Sequence, residues 1–177
     1  MTDEQTMQRV KEGDLSKAAI LFERYHQRIY LYLGKMSGEY ETAEDLTQNV
    51  FERLIHYRSS FDPSQKFENW VFRIAKNSFI DYSRSKSRMP LKFDADVAEI
   101  NNIGDVQDTQ EEQIEQLNKA MAALHDDDRE LLILTRYEKK KYHEVASLLG
   151  TTESNIKVKV FRAIEKLRTH YFKLSTI

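Results

Sequence analysis

The chain has 177 residues, 40% hydrophobic and 32% charged, with 5 Gly, 2 Pro and no Cys. A length of this order allows one domain or two small ones. Without cysteine there is no disulfide framework, thiolate zinc site, iron–sulfur cluster or cysteine nucleophile, and such usage suits a reducing compartment, so the cytoplasm is the expected location. The longest aliphatic run is Leu131 to Leu134 and the chain starts on the polar Thr2, Asp3 and Glu4, so neither a membrane span nor a secretory signal is expected.

The formal net charge of -2 conceals an asymmetry. Residues 1–93 carry 15 basic and 13 acidic groups, residues 94–115 carry 8 acidic groups and no basic one, and residues 116–177 carry 12 basic and 8 acidic groups. Two net-basic modules flank an acidic strap. The low Gly and Pro content, with abundant Leu, Glu, Lys and Gln, predicts an all-α protein of two small helical domains joined by an acidic flexible linker.

In chain order, apolar residues recur at helical spacing from Leu15 through Ala18, Ala19, Phe22, Tyr25, Ile29 and Leu33 to Met36, which predicts a first helix. A second is predicted to start at Thr42, with Asp45 three residues on completing a cap, and to bury Ala43, Leu46, Val50 and Leu54. Its opposite face shows Glu44, Asp45, Gln48, Asn49 and Glu52, which reads as solvated surface or as the seat of a protein partner. A third helix is expected from about Phe67 to Ser85, bracketed by Pro63 and Pro90, with Trp70, Val71, Ile74, Ser78 and Tyr82 inward.

Aromatics crowd residues 51–82, with Arg58, Lys66, Arg73, Lys76, Arg84, Lys86 and Arg88 among and after them. Aromatic faces beside cations suit a single nucleic-acid strand, whose bases stack while its phosphates are neutralised. Phe67, Trp70 and Tyr82 lie on the inward stripe and are expected in the core; Phe61 and an outward row of Phe72, Arg73, Lys76 and Arg84 are the contact candidates.

The strap from Asp94 is poor in large apolar side chains and is read as a linker. Beyond it, Ile114, Leu117, Met121 and Leu124 mark a helix, and another through Leu131, Leu132 and Thr135 is expected to be capped by Asp127 or Asp128. Tyr142 to Leu149, a turn at Gly150, and a long helix carrying Ile156, Val160, Ala163, Ile164, Leu167 and Tyr171 complete the chain. Ala146, Gly150 and Ile156 fall at the spacing of a helix-turn-helix: a small residue where helices cross, a glycine for the turn and an apolar lock. Thr152 is placed to cap the last helix, whose first turns offer Glu153, Ser154, Asn155, Lys157, Lys159 and Arg162 to a major groove. Lys139, Lys140 and Lys141 before it, and Lys166 and Arg168 after it, add cations.

Enzymatic readings find little support: His143-Glu144 is followed by Ser147 rather than a second histidine, no phosphate-binding glycine loop is present, and His125-Asp126-Asp127-Asp128 reads as a helix start, not a metal site. No cofactor is expected.

With those residues in place, the chain resembles the bacterial RNA polymerase sigma factors of the sigma-70 family, specifically the short extracytoplasmic-function type. Ala43-Glu44-Asp45-Leu46-Thr47-Gln48-Asn49-Val50-Phe51 is similar to the family's core-polymerase-binding segment; Phe67 to Asn77, with Asp81 and Arg84, resembles the segment that melts and reads the minus-ten element; Tyr142 to Arg168 resembles the minus-thirty-five helix-turn-helix. The resemblance implies region 2 over 1–93, a linker over 94–111 and region 4 over 112–177. It implies polymerase contacts at Asp45, Gln48, Asn49 and Glu52, and minus-ten contacts at Arg58, Phe61, Phe72, Arg73, Lys76, Asn77, Arg84, Lys86 and Arg88. Minus-thirty-five contacts would fall on Thr152, Glu153, Ser154, Asn155, Lys157, Lys159 and Arg162. The partners so implied are core polymerase, promoter DNA and an anti-sigma factor, with no catalysis by the chain itself. The alternative is a conventional helix-turn-helix regulator acting on a palindromic site without polymerase.

Overall fold

A computed structural model of the chain describes residues 1–88 and 108–174. Among these residues the fold is all-α, with eight α-helices and no strand: α1 (Asp3–Lys11), α2 (Ala18–Ser37), α3 (Tyr40–His56), α4 (Phe67–Arg88), α5 (Asp108–Ala122), α6 (Asp126–Leu132), α7 (Tyr142–Leu149) and α8 (Glu153–Leu174). Most of the strap read as a linker lies outside the described residues; α5 begins at Asp108, within its last residues.

The expected first, second and third helices are α2, α3 and α4, and their inward residues Tyr25, Ile29, Leu33, Val50, Leu54, Val71 and Ile74 are buried together. Two local expectations are corrected. The cap of α3 is Glu39, and the Thr42 hydroxyl donates to the Glu39 carboxylate at 2.9 Å rather than receiving a backbone N–H. At α6 the cap is His125, whose ring nitrogen accepts the Asp127 N–H, so the three aspartates occupy the first turn, at the positive end of the helix dipole.

Ahead of the predicted elements stands α1, which the stripe analysis passed over. A capping box closes its start, Thr2 Oγ1 receiving the Gln5 N–H and Gln5 Oε1 receiving the Thr2 N–H. It buries Met7, Val10 and Thr6 and clasps the start of α4 and the segment before it: Glu4 accepts the Phe67 N–H at 3.1 Å, and Lys11 Nζ donates to the Phe61 carbonyl at 2.7 Å. Below this clasp Phe61, Phe67 and Trp70 form an aromatic cluster, with ring centroids 5.3 to 6.2 Å apart. The core expectation for Trp70 holds.

In the second module, Ala146 and Ile156 are buried where α7 and α8 cross, and Gly150 closes α7 in the left-handed region at φ 66°. The Thr152 hydroxyl accepts the Asn155 N–H at 3.2 Å, so α8 starts as its cap residue predicts. Between α6 and α7 a π-helical turn, Ile133–Tyr137, leads to Lys139, which is held at φ 52°.

The two modules pack against each other. Arg129, at the start of α6, donates to the Met36 carbonyl of α2 at 2.6 Å while also donating to the Met121, Ala122 and Leu124 carbonyls. Few side chains satisfy four backbone acceptors, and here one guanidinium locks the α5–α6 turn onto the end of α2.

Candidate nucleic-acid interfaces and partner face

The first candidate surface is the outer side of α2 and α3. Asp45, Gln48 and Glu52 are exposed on α3, with Gln48 Nε2 donating to Glu52 Oε1 at 3.1 Å. Asn49 is turned toward α4, where its Oδ1 accepts from the Ser78 hydroxyl, so it ties two helices together and is only half exposed. The polar row borders an open groove of about 710 Å³ that also takes in Phe22, His26, Tyr30 and Ile55. The Phe22 ring, assigned to the inward stripe by sequence, is instead substantially exposed, stacked on His26 and edge-on to Phe51. An exposed ring beside an exposed isoleucine, rimmed by carboxylate and amide groups, has the make-up of a protein-docking surface.

The second surface is α4. Arg73, Asn77 and Arg84 are exposed along it, as expected. The Lys86 ammonium is paired with Glu39 at 2.7 Å and lies over the Tyr82 ring, and Arg58 donates to the Ile55 carbonyl. The Arg88 side chain lies outside the described residues. Phe61 and Phe72 are corrected: both are 1% exposed. Phe61 is held in the aromatic cluster under α1, a contact from a helix fifty residues away that local periodicity does not report. Phe72 packs against α2 of its own module, and Lys140 of the second module closes over the ring. Tyr32 meets it edge-on, and Arg28 and Lys140 lie against its ring at 5.5 and 5.0 Å.

Lys76 is likewise engaged: its ammonium stands 2.6 Å from a Glu130 carboxylate oxygen on α6. Glu130, only 3% exposed, receives the Tyr32 hydroxyl on its other oxygen at 2.9 Å. Burial, and then the neighbouring Glu130 charge, push the Tyr32 phenol well above its ordinary value. A second polar knot lies beside the first. Arg28 bridges Glu68 and Glu138, and Lys140 pairs with Glu68 at 2.9 Å. Burial alone would raise the Glu68 carboxyl, but Lys140 and Arg28 outweigh it and hold the carboxyl below the ordinary carboxylate range. Lys140, counted by sequence among the cations flanking the helix-turn-helix, is therefore buried in this knot and withdrawn from the outer surface.

The third surface is α8. Thr152, Glu153, Ser154, Asn155, Lys157, Lys159 and Arg162 are all exposed, and the Asn155 amide also donates to the Thr151 hydroxyl at 2.7 Å. Val158 and Phe161, absent from the sequence candidates, are exposed as well, Phe161 by 67%. At 100° per residue Val158 lies opposite the buried stripe of Ile156, Val160 and Ala163, with Lys157 and Lys159 on either flank. An apolar tip between two rows of cations fits a groove whose walls are phosphates and whose floor carries base edges. The sequence signal was available: two large apolar residues at positions that the helical period assigns to solvent.

Among the described residues no cluster of His, Asp or Glu is arranged to hold a metal, and no helix is long and apolar enough to cross a membrane.

Comparison with known proteins agrees with this layout. Residues 21–89 match the family model for sigma-70 region 2, and residues 114–167 match that for sigma-70 region 4. The chain is 32% identical over 152 residues to the extracytoplasmic-function RNA polymerase sigma factor SigM of Bacillus subtilis, covering 85% of this chain and 93% of that one. In fold it is similar to CnrH, solved with the cytosolic domain of CnrY (TM-score 0.71, 19% identity, 94% of this chain and 95% of that one). It is also similar in fold to the sigma factor RpoE of Bartonella quintana, solved with the anti-sigma factor NepR (TM-score 0.64, 21% identity, 86% of this chain and 94% of that one). The chain belongs to the sigma-70 family of RNA polymerase sigma factors, in its extracytoplasmic-function branch.

Proposed function

We propose that α3 and the Phe22–Ile55 groove form the seat for core polymerase, that the exposed cations of α4 hold the melted minus-ten strand, and that α8 reads the minus-thirty-five element in the major groove. The pattern of α8 is the single observation that carries this reading: an outward face of Ser154, Val158 and Phe161 between cationic flanks, on a capped helix leaving a helix-turn-helix. Region 2 supports the other half, because its free cations Arg73 and Arg84 and the polar Asn77 project from one helix beyond a packed aromatic core. Strand capture by cations and rings supplies electrostatic and stacking energy but no covalent step, so catalysis belongs to the polymerase. An anti-sigma factor is a further partner, as it is for the RpoE relative.

The boundaries 1–93, 94–111 and 112–177 follow as functional units, with the cytoplasm as the place of action. The test is binding of a duplex promoter library to this chain alone, to core polymerase alone and to the mixture. The reading expects sequence-selective binding only in the mixture, and loss of core affinity in an Asp45→Ala, Gln48→Ala double variant of unchanged helicity. Selective binding by the chain alone would overturn it.

A further inference from the structure

Where the end of α2 meets the α5–α6 turn, a cavity of about 340 Å³ opens whose lining contains the cations Lys35, Lys119 and Arg129 and no carboxylate. One wall is the Tyr40 ring, which lies over Gly34, where any Cβ would collide with it; another is Tyr137, at the end of the π-helical turn. The three cations are not equivalent. Arg129 is committed to four backbone carbonyls and to Asp126, and the Lys119 ammonium pairs with Glu115 at 2.7 Å. Lys35 is half-buried, its ammonium stands 4.0 Å from the centre of the Tyr137 ring, and among the described residues it pairs with no carboxylate. From this geometry we infer that Lys35 is a modification site, acylated in place by a small acyl phosphate that the cavity admits.

An ammonium is unreactive until it loses its proton, and burial lowers the Lys35 pKa from its ordinary value with no carboxylate to oppose the loss. The face of the Tyr137 ring favours the cation, but a ring quadrupole is a weaker partner than a full negative charge. A cleft whose charged lining is all of one sign concentrates ions of the other, so an anionic acyl donor is drawn in where a neutral one is not. The reaction balances between donor and side chain. The amine lone pair attacks the acyl carbon, the C–N bond forms as the acyl C–O bond to phosphate breaks, inorganic phosphate leaves, and the proton released from nitrogen passes to water. Lys35 then carries an uncharged amide, and its contact with the Tyr137 ring loses the cation.

The test treats the full chain with limiting acetyl phosphate, cuts it at glutamates and follows acetylation of each lysine with time by mass spectrometry. Lys35 is expected to be acetylated severalfold faster than the exposed Lys157 and Lys173, and to lose that lead when the chain is first unfolded in urea. With the N-hydroxysuccinimide ester of acetic acid, a neutral donor, the lead is expected to shrink. A Lys35 rate no greater than that of the exposed lysines would overturn the inference, and so would a lead that survives in urea. An equal lead with the neutral ester would overturn the assignment of an anionic donor to the cavity.

Discussion

The Glu4 carboxylate of α1 accepts the backbone N–H of Phe67, the first residue of α4, at 3.1 Å. A helix N-terminus leaves its first N–H groups without intrahelical acceptors, and this one is served from a residue sixty-three positions earlier. Through this bond and the Lys11 contact to the Phe61 carbonyl, α1 sets where α4 begins. Glu4→Ala should cost about 0.5–2 kcal/mol, the usual range for a lost cap. Met7→Ala, at a fully buried position of the same helix, should cost about 2–5 kcal/mol. Chemical denaturation of the two variants measures both.

Trp70 should behave as core. It is 8% exposed, edge-on to Phe61 and tilted against Phe67, so Trp70→Ala is expected to cost about 3–5 kcal/mol. Thermal unfolding decides the matter: a variant that melts with the wild type yet fails to open promoters would move the ring from packing to DNA contact.

The helix-turn-helix and the three long helices of region 2 were legible because their determinants are local. Gly150 at φ 66° and the Thr152 cap are properties of a few adjacent residues, and Tyr25, Ile29 and Leu33 repeat at the helical period. Helix α1 escaped notice because Met7 and Val10 are its only large buried apolar residues in a polar run, and the energy that holds it comes from partners in α2 and α4. Phe61 and Phe72 were placed outside for a related reason: Phe61 stands in the extended segment before α4 and Phe72 lies off the α4 stripe, and each is covered by a segment distant in the chain. Glu130 had one cue, a carboxylate directly before the apolar run Leu131 to Leu134, but its partners Lys76 and Tyr32 are not neighbours in sequence.

The knot around Glu68 makes the module interface sensitive to acid. Its carboxyl is held below the ordinary value of 4.5 by Lys140 and Arg28 against the opposing effect of burial. Its contribution is therefore complete above pH 4.5 and lost as pH falls through the depressed folded value. The Tm difference between wild type and Glu68→Gln should be largest near neutrality and shrink toward zero in acid. A difference that grows on acidification would contradict the assigned sign.

Lys139 occupies the left-handed region, at φ 52°, where a side chain is strained and glycine is not. Its own side chain is exposed, so Lys139→Gly is expected to be neutral to stabilising by up to about 1 kcal/mol, despite the added entropy of the unfolded chain. Urea midpoints at constant slope measure the effect.

On α8, holding and reading should separate. Lys159→Ala should weaken binding to all promoters about equally and lower the salt slope by roughly 1 unit. Ser154→Ala and Asn155→Ala should instead shift the preferred upstream sequence, with roughly 1–3 kcal/mol of discrimination per base contact. Selection from a randomised upstream element, with each variant bound to core polymerase, reports both effects.

The most direct measurement is run-off transcription from a genomic promoter library with core polymerase alone, with this chain alone, and with the two together. The account predicts discrete start sites only with both present, each preceded by two common sequence blocks at a fixed separation, and loss of those starts in an Arg73→Ala, Arg84→Ala variant that retains core affinity. Discrete start sites unchanged by adding or omitting the chain, or sites sharing only one palindromic block, would contradict it.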